Sequence, residues 1–307
     1  MKGTGNSLKN SSHKKELIGS LGVLLACAIW GSSFFMVKDV VTNNIHPWVL
    51  TTITMTVSAI IMLVVSLIAG KKPFVNFGPG ITLGIMRSFI LLPQGFGLQY
   101  TTASNSGFIT GLFIVFVPFV NYIFFKRKPA KEVFIAVPMA LLGLWLLTGG
   151  INGANLGDLL TLITAVACAF HVLYADRFMK EGNDPLVISF QQYATVAVCS
   201  CILALLFGRL PETFVPKVGL VIAYIIFFPN CVAFFLQFFA QKSVAPFKVS
   251  LLFLSESVFA AAFAWTLGGE PFILVKALGG LVIVSAMVLA EIGGIKIQKQ
   301  SLPNNVV

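Results

Sequence analysis

Three ionisable side chains stand inside stretches otherwise too apolar for water: Arg87 in GIMRSFILLPQGFG (84–97), His171 in VACAFHVLYA (166–175) and Glu256 in LLFLSESVFAAAFAW (251–265). A guanidinium offers a fixed charge and five donors in one plane, a carboxyl either accepts or carries a proton, and an imidazole changes charge near neutrality. Such groups are expensive at membrane depth and mark substrate or ion paths. Arg87 and Glu256 suit an ion pair gating the inner mouth of a pathway. Arg87 alone suits a substrate carboxylate, and its stem is also long enough to snorkel to headgroups. Glu256 and His171 are the groups for proton coupling or gating, set against the plainer use of a single histidine as a packed, hydrogen-bonded core group.

Amides form a second set. FILLPQGFGLQY (89–100) and IIFFPNCVAFFLQF (225–238) each place a bulky apolar pair before proline, an amide directly after it, and Leu-Gln-aromatic further on. A helix proline removes one hydrogen bond and crowds the carbonyl four residues back. In lipid that is tolerated only beside protein or water. Gln94, Asn230 and Gln237 are therefore expected to line a wet cavity. Trp30 and Ser33 share one face of an earlier helix by their spacing. Asn105, in SNSGFITG (104–111), and Phe108 are expected as a polar contact and an apolar wall. The sequence contains no P-loop, GxSxG, HExxH or phosphate-cradling glycine loop. The five cysteines form no CxxC and no Cys/His ligand cluster. This is read as no enzyme, no metal site and no cofactor.

The helices that carry these groups follow from composition. Of 307 residues, 57% are hydrophobic and 10% charged, with a mean hydropathy of +0.92. A soluble domain carries roughly 25% charged residues, so the chain is read as an all-α integral membrane protein. Continuous apolar runs of about 20 residues fit helices rather than the alternating ten-residue strands of a barrel. Ten runs are expected, near 17–38, 48–69, 80–98, 103–125, 132–150, 156–178, 185–207, 218–240, 248–268 and 271–291. The first begins like a lipoprotein signal but continues past Cys27 as AIWGSSFFMVKDVV, and is read as an uncleaved helix. Residues 1–16 are expected to be a disordered cytoplasmic tail and 292–307 a second cytoplasmic tail.

The net charge of +10 is topological and does not call for nucleic acid. With the N-terminus inside, sixteen of the 21 Lys and Arg fall on the cytoplasmic side and four outside, Arg87 lying within a span. This positive-inside bias puts both termini in the cytoplasm of a multi-pass plasma-membrane protein. The chain is also doubled. Pro93 and Pro229 are 136 residues apart, and SLGVLL (20–25) matches NLGDLL (155–160) at a shift of 135. Two five-helix halves result, 17–152 and 153–291. Five is odd, so the second half enters from the opposite side, the inverted-repeat plan of many secondary transporters.

AIWGSSFFMVKDVV (28–41), with Trp30-Gly31-Ser32-Ser33-Phe34, and LGGEP (267–271) resemble the drug/metabolite transporter superfamily, EamA type, over about residues 17–291. The resemblance implies export of small metabolites such as amino acids or related compounds. The expected function is thus a secondary active or facilitative exporter working by alternating access. Its partners would be a small-molecule substrate and the lipid bilayer, and it would be a monomer or homodimer. An exchanger of phosphorylated or nucleotide-linked sugars is the alternative within the superfamily, and a membrane enzyme or lipid scramblase the alternative outside it.

Overall fold

The computed structural model describes residues 4–43, 45–126, 130–150, 153–208, 216–241 and 252–301; the start of the ninth expected run, 248–251, and residues 1–3 and 302–307 of the expected tails lie outside them. Every described element is helical: α1 Thr4–Asn43, α2 Pro47–Ile68, α3 Phe77–Gly97, α4 Ala103–Gly111, α5 Phe113–Phe125, α6 Val133–Thr148, α7 Leu156–Lys180, α8 Pro185–Phe207, α9 Pro216–Ile225, a π-helical segment Ile226–Val232, α10 Ala233–Gln241, α11 Ser255–Thr266 and α12 Leu274–Ser301. Six stretches are long and apolar enough to cross a membrane: Leu17–Thr42, Pro47–Ile68, Ala103–Phe124, Leu156–Lys180, Pro185–Phe207 and Pro216–Gln237. Val133–Thr148 and Leu274–Ala290 are apolar but shorter. With α3 and α11 they make ten helical columns among the described residues.

Three expected boundaries change. The backbone is already helical from Thr4, where polar composition predicts disorder; extending a formed helix costs far less than nucleating one. The fourth column breaks at Leu112 into α4 and α5. The eighth passes through the π-helical segment, with Pro229 inside it. Pro93 does not break its helix, and α3 runs through it to Gly97.

Helix starts show the doubling locally. In α2, His46 precedes Pro47 and its ring accepts from the Trp48 amide; in α8, Asp184 precedes Pro185 and accepts from the Leu186 amide. Each pairs an N-cap acceptor with a proline where no N–H is needed. Asp184 also pairs with Lys71 at 2.9 Å. Burial opposes ionisation of Asp184, but Lys71 and the Leu186 amide together hold its carboxyl below the usual carboxylate range. Beside it, the Gln191 side-chain amide donates to the carbonyls of Pro73 (3.0 Å) and Val75 (2.8 Å), fastening the α2–α3 turn to α8.

The main helix seams join one half to the other: α6 with α12, α2 with α8, α3 with α7 and α8, α1 with α10 and α11, and α4 with α11. Small residues set the close approaches, as membrane packing favours. Gly97 faces Gly157, Gly107 faces Ala260, and Gly143 faces Gly279. The largest apolar cluster, with Phe108, Ile109, Ile283 and Met287, binds α4 and α5 to α6 and α12.

Candidate functional site

A cavity of about 250 Å³ lies between the halves. Among its walls are Trp30, Ser33 and Phe34 of α1, Thr54 and Met55 of α2, Arg87 and Gln94 of α3, Thr110 of α4, Cys168 and His171 of α7, Pro229 and Asn230 of the π-helical segment, Phe234 and Gln237 of α10, and Glu256 of α11. Eight of the ten site residues expected from sequence thus share one cavity: Trp30, Ser33, Arg87, Gln94, His171, Asn230, Gln237 and Glu256.

Asn105 and Phe108 do not reach it. Asn105 is buried, its side-chain amide 3.4 Å from Asp158 Oδ1 and its backbone N–H donating to Thr102 Oγ1. Phe108 packs against Gly280 within the apolar cluster. The reason is angular. At about 100° per residue, Asn105 and Phe108 sit roughly 140° and 160° around α4 from Thr110, the residue that faces the cavity.

The two proline sites are satisfied mainly by protein donors. The π-helical turn shifts carbonyls out of the regular ladder. Trp30 Nε1 donates to Pro229 O at 2.9 Å, and the Tyr193 hydroxyl to Asn230 O at 2.8 Å. Thr164 of α7 donates to Ile90 O at 3.0 Å, one turn before Pro93. Trp30 is therefore a strut between α1 and the π-helical segment, with its ring edge also against Phe234. The Ser33 hydroxyl turns back to Trp30 O at 2.7 Å. Of the amides, Gln94 donates to Thr110 Oγ1 at 2.9 Å and Asn230 to Ser58 Oγ at 3.0 Å. His171 Nε2 lies 3.2 Å from Gln192 Oε1.

Arg87 is 9% exposed, so it does not snorkel. Its guanidinium carbon lies 5.1 Å from the Tyr193 ring centre and 4.3 Å from that of Phe234. Such a cage stabilises a desolvated cation by about 2 kcal/mol or more. Arg87 and Glu256 share the cavity without forming an ion pair among the described residues. Tyr193 and Phe234 were not singled out from sequence, because nothing in an apolar run distinguishes an aromatic that caps a cation from one that faces lipid.

Polar ties join α1 to the end of α3 at Val41 and Leu98, two residues of the cavity wall. Lys38 Nζ donates to Leu98 O at 3.2 Å and also to Thr101 O, and Gln99 Nε2 donates to Val41 O at 2.9 Å. Nearby, Asn155 and Asp158 form a capping box, and Asp158 also accepts from Thr101. The carboxylate of Glu270 in LGGEP accepts from the backbone N–H of Ala103 and from both the N–H and hydroxyl of Ser104. It caps α4 with a charge of the favourable sign for a helix start. Glu270→Ala should lower stability by about 1–2 kcal/mol, seen as a reduced melting temperature in detergent. An unchanged melting temperature would remove this role.

Residues 17–149 and again 155–291 match the profile of the EamA-like transporter family. An uncharacterized transporter of Archaeoglobus fulgidus is 27% identical over 281 residues, covering 91% of this chain and 87% of that protein. An uncharacterized transporter of Methanothermobacter thermautotrophicus is 24% identical over 214 residues, covering 67% of this chain and 62% of that protein. A protein of known crystal structure superposes with a TM-score of 0.63 at 17% identity, covering 92% of this chain and 99% of that one; this likeness shows the fold alone.

Proposed function

Because this chain belongs to the EamA-like transporter family, within the drug/metabolite transporter superfamily, we propose that it exports small metabolites, amino acids or related compounds, across the plasma membrane by alternating access. The family is one of transporters, not of enzymes. The observation that carries the reading is the cavity itself, built from both halves and lined by buried polar groups. A substrate site between two repeats is what this plan of transporter provides. In this reading the halves are inverted, with both termini cytoplasmic. Repeat-related residues support it. Gly22 and Gly157, 135 apart in the matching SLGVLL and NLGDLL, both sit at helix crossings, against Leu236 and Gly97 respectively.

Alternating access needs a seal that one half makes and the other releases. Gln99 seals one end through Val41. Gln237, its counterpart 138 residues on, lines the cavity, and its side chain makes no hydrogen bond among the described residues. The opposite state would engage Gln237 on α7 and free Gln99. Glu256, in the same cavity, is the group placed to carry a coupling proton. Exchange of phosphorylated sugars is less well served, since Arg87 is the one Lys or Arg among the described lining residues.

Cells lacking the protein should hold a raised internal pool of its cargo, and expression from a plasmid should lower that pool below the wild-type level. Metabolite profiling of the three strains measures both. Pools that do not differ among them would overturn export.

A further inference from the structure

We propose that Arg87 is the anion-binding group of the cavity and that the cargo carries a single carboxylate on an apolar or aromatic body. The inference rests on reading the cavity as the transport site. Arg87 Nε is buried with no hydrogen-bond partner, and no carboxylate pairs with the guanidinium among the described residues. A buried charge left without a partner is costly, and the two aromatic rings meet it through their faces, supplying no acceptor. What the group lacks is an oxygen pair in the plane of its N–H bonds, which is the geometry a carboxylate offers. The number of charges argues for a monoanion. Position 223, reached from Arg87 by the 136-residue shift that relates the two prolines, is Ala223, and among the described residues no second Lys or Arg lines the cavity. A phosphate dianion would bring one buried charge too many. The apolar part of the wall, with Trp30, Phe34, Met55, Phe113 and Phe253, is suited to an apolar body.

The test uses the purified full-length protein in detergent or nanodiscs, with thermal stabilisation as the readout, since a ligand that binds the folded state raises its stability with concentration. Phenylacetate, phenylacetamide and phenyl phosphate are the probes: one aromatic body with a monoanion, a neutral amide and a dianion. Phenylacetate should stabilise the wild type saturably and the other two far less. Arg87→Gln should weaken phenylacetate about 10- to 100-fold, the loss expected for one or two charge-assisted hydrogen bonds, with Arg87→Lys in between. The wild-type comparison of acid with amide stands even if the variants do not fold. Equal stabilisation by acid and amide, stronger stabilisation by the phosphate, an undiminished response in Arg87→Gln, or no response to phenylacetate would each overturn the proposal. Because this readout needs no flux, it separates the two claims. Carboxylate selectivity without altered metabolite pools would keep the site and sink the export reading, and altered pools without carboxylate selectivity would do the reverse.

Discussion

Gly143→Leu and Gly279→Leu should each strongly destabilise the folded protein. These glycines, 136 residues apart, meet where α6 crosses α12. A Cβ on Gly143 would stand 2.7 Å from Ile283 Cγ1 and 2.8 Å from Gly279 O; one on Gly279 would stand 2.6 Å from Leu147 N and 2.8 Å from Gly143 O. Three of these four neighbours are side-chain-free or backbone atoms that cannot rotate away, so the helices must separate. In lipid there is no hydrophobic gain between helices to offset that separation, and packing itself holds the contact. Overpacking a core typically costs about 1–3 kcal/mol and sometimes more. A leucine pressed on backbone belongs at or beyond the upper end, and a protein of ordinary stability, about 5–15 kcal/mol, loses much of its margin. The measurement is the monodisperse peak in size-exclusion chromatography together with the melting temperature. Gly78→Leu is the control, since nothing lies within 4 Å of its added Cβ. A Gly143→Leu protein that elutes and melts like the control would show that α6 and α12 do not meet in this way.

The second large effect concerns the seal. Lys38→Met combined with Gln99→Leu should open the end of the cavity that these residues close. The pair removes the two hydrogen bonds of the Lys38 ammonium and the amide bond to Val41. Bonds from a charged donor contribute about 1.5–3 kcal/mol and neutral ones about 0.5–1.5. Losing even about 3 kcal/mol of that from one of two states changes their ratio by about 100-fold. Of the five cysteines, Cys168 lines the cavity, so its thiol reports access. With the other four replaced by serine, a membrane-impermeant maleimide added from the Lys38 side should label Cys168 at least about tenfold faster in the double variant. Gln237→Leu should not accelerate labelling from that side, because its bond would form only in the opposite state. An unchanged labelling rate in the double variant would mean that the polar ties do not hold the seal.

Membrane character, the ten helical columns and the doubling are legible in the residues alone, because these are written in one dimension. Apolar length sets a span whatever its neighbours are, and a repeat is a comparison of the chain with itself. The proline-amide pairs and the intramembrane Arg87, Glu256 and His171 were legible for the same reason: a polar group in an apolar run stands out locally, and its cost forces it inward. The direction in which the remaining residues face comes from the packing of the helices. Asn105 and Phe108 sit on the same short helix as Thr110 yet turn toward other neighbours. Trp30, placed by its spacing on one face with Ser33, spends its N–H on a carbonyl that a π-helical turn nearly 200 residues away has released. Tyr193 and Phe234 become the cage of Arg87 only because α8 and α10 converge on α3. Hydropathy records how much of a helix must avoid water, whereas the contacts made by each face depend on which helices stand beside it, and that arrangement is set by the close approach of glycines and small residues from opposite halves.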